Sequence, residues 1–188
     1  MTAAPKRKDA ARNRQRIVDV ARDLVDNGTP LQLNDVARRV GVGVATVYRH
    51  FPTPEALMET VAAPGLEALI ARAEQDLAEQ DPWNALAGFL GATLEAQLTD
   101  PSLTIVRAAP ERVLPRTEEL TATLDALAGQ LLDRTRATGA VRGMVTWEDL
   151  LPLMCGIAFA ANIHADDQQA RRESGRRYLD VMLRGLRD

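Results

Sequence analysis

The sequence predicts an all-α fold of about nine helices. Aromatic residues are only 4% of the 188 residues, and alanine and leucine are plentiful, a balance that favours helix over sheet. Apolar residues recur at helical spacing over most of the chain, and no alternating β-branched run is long enough for a strand. Asp-Pro and Asn-Gly pairs fall between those stripes, where helices start and stop.

Residues 1–8, MTAAPKRK, hold nothing apolar to bury and are expected to be a flexible basic arm. A first helix from Asp9 turns Ile17, Val20, Ala21 and Leu24 inward at i, i+3, i+4 and i+7, and Asn27-Gly28 and Pro30 end it. Val36, Ala37 and Val40 stripe a short second helix. Gly41-Val42-Gly43 breaks it, and a third helix from Val44 buries Val47 and stops at Pro52. Thr53 is placed to cap a fourth helix with Pro54 at its first position. Pro64-Gly65 is expected to kink or break that helix, which resumes to Gln80 with Leu66, Leu69, Ile70, Ala73 and Leu77 inward.

Asp81-Pro82 and Asp100-Pro101 open helices over residues 82–99 and 102–109, and Pro110 and Pro115 bracket a loop. Residues 118–138 form the longest uninterrupted pattern, with Leu120, Leu124, Leu127, Leu131 and Leu132 inward and Gly139 as the stop. Thr146-Trp147-Glu148-Asp149 reads as a capping-box variant, with Thr146 accepting from the third amide and Asp149 reaching back. The helix after it carries Leu150, Leu151, Leu153, Met154, Ile157 and Phe159 around its circumference and needs cover on every side. A last helix over residues 168–187 sets Tyr178, Leu179, Met182, Leu183 and Leu186 in one stripe against arginines elsewhere.

The net charge of −3 conceals an asymmetry. Residues 1–55 hold ten Lys/Arg against six Asp/Glu, whereas the remainder holds 13 against 20. Positive charge concentrated on one face attracts a polyanion even in an acidic protein, because screening confines the interaction to about 8 Å. Cys155 is the single cysteine, so no intrachain disulfide forms, which suits a reducing cytosol. The basic N-terminus has no apolar segment after it, and the apolar stretch at residues 150–163 is short for a membrane span, so a cytoplasmic protein is expected. His50 and His164 lie far apart, Cys155 has no histidine beside it, and no HExxH, phosphate-binding glycine loop, nucleophile elbow or CxxC occurs. No catalytic residue, metal site or cofactor is therefore expected.

Two short helices joined by a glycine turn, with Ala37 at their crossing, make a helix-turn-helix. Such a unit presents its second helix as a ridge about 10–12 Å across, which fits a major groove about 12 Å wide. The wording GVGVATVYRHFPTPEAL, preceded by Asn34-Asp35-Val36-Ala37, resembles the DNA-binding domain of the TetR family of bacterial transcriptional regulators. The resemblance covers residues 12–62 closely and the rest in helix number and length. It implies a helix-turn-helix head over residues 9–53, and over residues 54–188 a helical domain that dimerises and binds a small ligand.

By the resemblance, Val44, Ala45, Thr46 and Arg49 face the groove, Tyr48 and His50 hydrogen-bond phosphates, and Gln32, Asn34 and Gly43 complete the contact. Arg12 and Arg16 are added because basic side chains early in the first helix oppose its macrodipole, which suggests a polyanion nearby. Arg49 reads guanine or holds a phosphate; its planar fork matches O6 and N7. Three departures stand out. Gly43 replaces a capping serine, Gln32 a capping threonine that touches phosphate, and Thr53-Pro54 a Ser-Lys pair, which removes a phosphate-binding lysine. Trp83, Phe89, Arg107, Met144, Met154, Cys155, Phe159 and His164 lie on helices that line the family's pocket, or are simply core. The lack of charge in the apolar helix points to an apolar or amphipathic ligand. Leu153, Gly156, Ala160, Tyr178, Leu179, Met182, Leu183 and Leu186 are the expected homodimer interface, with Ala158 and Ala161 also small enough for close helix approach. The implied function is a ligand-released repressor on a pseudo-palindromic operator. A constitutive regulator with an inert core and a helical protein-interaction module are the alternatives.

Overall fold

A computed structural model of the chain describes residues 4–163 and 167–187. Among them run nine helices: α1 (Ala4–Asp26), α2 (Leu33–Val40), α3 (Val44–His50), α4 (Pro54–Leu77), α5 (Pro82–Thr99), α6 (Pro101–Ala108), α7 (Pro115–Arg136), α8 (Trp147–Ile163) and α9 (Gln168–Leu186). The one strand-like feature among the described residues is an isolated antiparallel bridge, Val141 to Arg187. The expected all-α fold is the one observed.

Local caps set most boundaries. Thr53 accepts from the Ala56 amide at 3.1 Å, Asp81 from Trp83 and Asn84 at 2.9 and 3.1 Å, and Asp100 from Ser102 at 3.0 Å. Proline follows each cap at the first helical position, where its missing N–H removes no bond. Pro115 does the same for α7, so that helix begins three residues before the expected Glu118. At α8 only half of the capping box forms. Asp149 accepts from the Thr146 amide at 2.9 Å, while the Thr146 hydroxyl donates to that same carboxylate instead of accepting from an amide. These bonds hold the Asp149 carboxyl below its ordinary range.

The N-terminal arm is helical from Ala4, ahead of the expected Asp9. Alanine, lysine and arginine are good helix formers, and extending an existing helix gains one bond per residue, so α1 propagates back to Pro5 in its first turn.

Helix α4 runs unbroken through Pro64-Gly65, against the expected break. Pro64 is exposed, so the carbonyl that loses its partner need not be buried. Gly65 provides a close approach: a Cβ there would stand 2.9 Å from Cδ2 of Leu103, which is fully buried on α6.

That unbroken helix joins two hydrophobic clusters. Leu57 and Val61 pack with Ile17, Ala21, Leu24, Val36, Val47 and Phe51 in the head. Ala62, Leu66, Leu69 and Ala73 pack with α5, α7 and α8 in the larger core. The head's apolar cluster thus extends past residue 53 to Val61. Glu59, between the clusters and buried, accepts from the amides of Val113 and Leu114 at 2.7 and 2.9 Å and ties the α6–α7 loop to α4. Arg22 of α1 donates to the Val61 carbonyl and pairs with Asp100 at 3.2 Å, fastening the head to the start of α6.

Gly65→Ala is expected to lower stability by about 1–3 kcal/mol through overpacking against Leu103. Gly91→Ala, where nothing stands within 4 Å of the new Cβ, is expected to raise it by up to about 1 kcal/mol through helix propensity. Urea unfolding monitored by circular dichroism separates the two signs.

Candidate nucleic-acid interface and clefts

Gly41 ends α2 at φ 75°, a left-handed conformation that a side chain disfavours. The amides of Gly41 and Val42 both donate to the Ala37 carbonyl, at 3.0 and 3.1 Å, and turn the chain sharply into α3. Seven residues are too few for a helix that stands alone. Val47, fully buried among Val36, Val40 and Phe51, holds α3 in place; a buried valine contributes about 1.5–3 kcal/mol.

With Val47 inward, Val44, Ala45, Tyr48 and Arg49 are exposed together at i, i+1, i+4 and i+5. Thr46 and His50 flank that ridge, half-buried. No side chain caps α3 at Gly43 or α2 at Gln32, so the first amides of both helices lack a side-chain acceptor. Gln32 and Asn34 are exposed beside them, and Arg12 is exposed on α1. Arg16 is differently employed: its guanidinium donates to the Val40 carbonyl at 2.6 Å, satisfying the end of α2. Arg14 lies over the Phe51 ring at 5.2 Å.

A family model described as bacterial regulatory proteins of the tetR family matches residues 17–61, which are this head. A second, described as the C-terminal domain of SbtR-like transcriptional regulators, matches residues 81–188, more than half of the chain. The chain belongs to the TetR family. A TetR transcription regulatory protein of Mycobacterium vanbaalenii is 30% identical, with a TM-score of 0.52 over 98% of this chain and 100% of that one. An HTH-type transcriptional regulator of Staphylococcus aureus is 33% identical over 81 residues, 42% of each protein. The chain spans about two fifths of the length of the curated relatives it matches. A Bacillus subtilis transcriptional regulator, FadR, solved with stearoyl-CoA, is 15% identical with a TM-score of 0.62, covering 92% of this chain and 98% of that one; that likeness is one of fold.

The residues expected to line a TetR ligand pocket do not converge. Phe89 and Met154 are fully buried and fill the core, because each sits on the inward stripe of its helix. Trp83 is half-buried under the Arg187 guanidinium, 5.1 Å from its ring centre. Met144, 93% exposed in the loop before α8, lines neither of the two larger clefts. Arg107 is buried and paired with Asp125, which also accepts from the Trp147 indole at 2.7 Å. Cys155 meets the Gln97 amide at 3.7 Å, and burial pushes its thiol above the ordinary range. His164 lies outside the described residues.

Two larger clefts remain. One, of about 620 Å³, lies between the α1–α2 turn and helices α6 and α8, with Phe159 as its only wall from the expected set. The other, of about 430 Å³, is lined by Arg107, Arg112 and Asp125. There, burial and the neighbouring Arg107 lower the Arg112 pKa. Gln97, missed from the sequence, lines the larger cleft; its signal was a polar residue on the buried stripe Phe89, Leu90, Thr93, Leu94. Among the described residues no group of His, Cys, Asp or Glu is disposed to hold a metal, and no helix is long and apolar enough to cross a membrane.

Of the expected interface, Leu153, Gly156 and Tyr178 are exposed, and Ala160, Met182 and Leu183 are half-buried. Leu179 and Leu186, 7% and 5% exposed, are corrections: they pack into this chain's own core. Ala158 and Ala161 also face inward. The close approach there is made by Gly175, whose Cβ would stand 2.9 Å from Leu98. Ile163 and the 70%-exposed Val181 extend the outward apolar surface of α8 and α9.

Gly41→Ala is expected to destabilise the head by about 1–2 kcal/mol, since alanine resists positive φ. Gly43→Ala, at φ −62°, should cost less. Hydrogen exchange of the α2 and α3 amides measures both.

Proposed function

We propose that this chain is a homodimeric, DNA-binding transcriptional repressor, acting in the cytoplasm, that a small molecule releases from a pseudo-palindromic operator. The observation that carries the reading is the outward ridge Val44, Ala45, Tyr48 and Arg49, anchored from behind by Val47. Two copies place their α3 ridges in successive major grooves about 34 Å apart. Arg49 reads guanine, Val44, Ala45 and Thr46 line the groove, and Tyr48 and His50 bind phosphates. Gln32, Asn34, Arg12 and the open amides after Gly43 add phosphate contacts. Arg16 supports the turn from behind.

Exposed apolar surface on α8 and α9 supports the dimer, because patches of this kind mark interaction sites. Two clefts, one at the seam between head and helical domain and one within the helical domain, support ligand response over an inert core. A ligand that prefers one head spacing shifts the population away from the operator-bound form.

Arg49→Ala is expected to lower discrimination between operator and random DNA by about 1–3 kcal/mol, read by fluorescence anisotropy. Equal weakening on both DNAs would assign Arg49 to a phosphate. The double variant Leu153→Glu, Val181→Glu should sediment as the 20.5 kDa chain, and the unaltered protein at twice that mass. A monomer in both samples removes the dimer.

A further inference from the structure

We infer that the effector site is the seam cleft between head and helical domain, and that it takes an uncharged amphipathic molecule whose hydrogen-bond donor pairs with Gln97. The inference rests on the ligand-released reading and names the place and chemistry of that ligand.

Gln97 is 3% exposed and lines this cleft. Its amide nitrogen meets Cys155 Sγ at 3.7 Å, and its oxygen has no partner among the described residues. A desolvated amide oxygen without a donor is unfavourable, and a ligand hydroxyl or N–H that reaches it recovers the missing bond. Met58, Leu98, Ile105, Ala158 and Phe159 supply apolar wall, and the two charged lining residues, Asp26 and Arg171, are of opposite sign and leave the lining without net charge. Phe159, 68% exposed, is a large aromatic ring with little cover in the single chain. A volume of about 620 Å³ suits a drug-sized molecule. The Arg107 cleft is the weaker choice, because Asp125 already neutralises its buried guanidinium.

Position gives this cleft a route to the head. One wall is the α1–α2 turn, from Asn27 to Leu31, and the facing wall includes Pro101 and Thr104 of α6. Asp100, next to Pro101, holds Arg22 of α1. A ligand in the seam touches the head and α6 at once, beside the ion pair that joins them. Its occupancy therefore biases the head's angle directly, with no relay through the packed interior of α4 and α7.

The test uses 4-pentylphenol and 4-pentylanisole, which share a ring and tail and differ in the donor. Calorimetry on the full chain should show the phenol binding about tenfold more tightly. Gln97→Met, which removes the unpaired oxygen, should erase that difference. Asn162→Trp, at an exposed position on the cleft wall, should abolish binding of both. Equal affinity of the two compounds for the unaltered protein, undiminished binding to Asn162→Trp, or no binding of the phenol at millimolar concentration overturns the site. Operator anisotropy with added phenol is a separate arm. Gln97-dependent binding that leaves operator affinity unchanged upholds the site and overturns the ligand-released reading. Release of operator that survives in both variants upholds that reading and overturns the site.

Discussion

One helix belongs to two hydrophobic clusters, and the rest of the architecture depends on that. Leu57 and Val61 of α4 complete the head, and Ala62, Leu66, Leu69 and Ala73 begin the larger core one residue later. Because α4 is continuous through Pro64, the head and the larger core are built on one helix. Gly65 keeps α4 close to α6, where a larger residue would meet Leu103. Glu59 and Arg22 add polar fastenings at the same level, one to the α6–α7 loop and one to the start of α6. A partly exposed pair such as Arg22–Asp100 contributes at most about 1 kcal/mol.

The same economy governs the head. Val47 supplies most of what holds α3, and Gly41 supplies the turn that aims it. Every other side chain of α3 is then free to face outward or flank the ridge. Arg14 and Arg16, which charge alone would assign to a polyanion, serve the Phe51 ring and the Val40 carbonyl. Positive charge near α3 thus includes side chains committed to the scaffold, and hydrogen-bond and ring geometry identifies them.

What was legible in the sequence was local. Asp81, Asp100 and Thr53 cap helices through bonds to amides two or three residues away, and proline after each cap reinforces the signal. The glycine turn and the Val36, Ala37, Val40, Val47 set were legible for the same reason. Pro64-Gly65 misled because its local meaning is a break, while Leu103, far away in sequence, makes Gly65 a packing site. Leu179 and Leu186 misled because a helical stripe shows that a face is buried without showing against what; here the chain's own core covers them. Phe89 and Met154 carry the same ambiguity between pocket and core. The seam cleft was illegible, since its walls come from six helices and a turn with no shared spacing.

The proposed complex sets two α3 ridges in neighbouring major grooves of one operator. Dimethyl sulfate protection tests it directly, because the reagent marks guanine N7 in the major groove and adenine N3 in the minor groove. Two patches of protected guanine N7, centred about ten base pairs apart, are expected. Protection confined to adenine N3, or a single isolated patch of guanine, would contradict it.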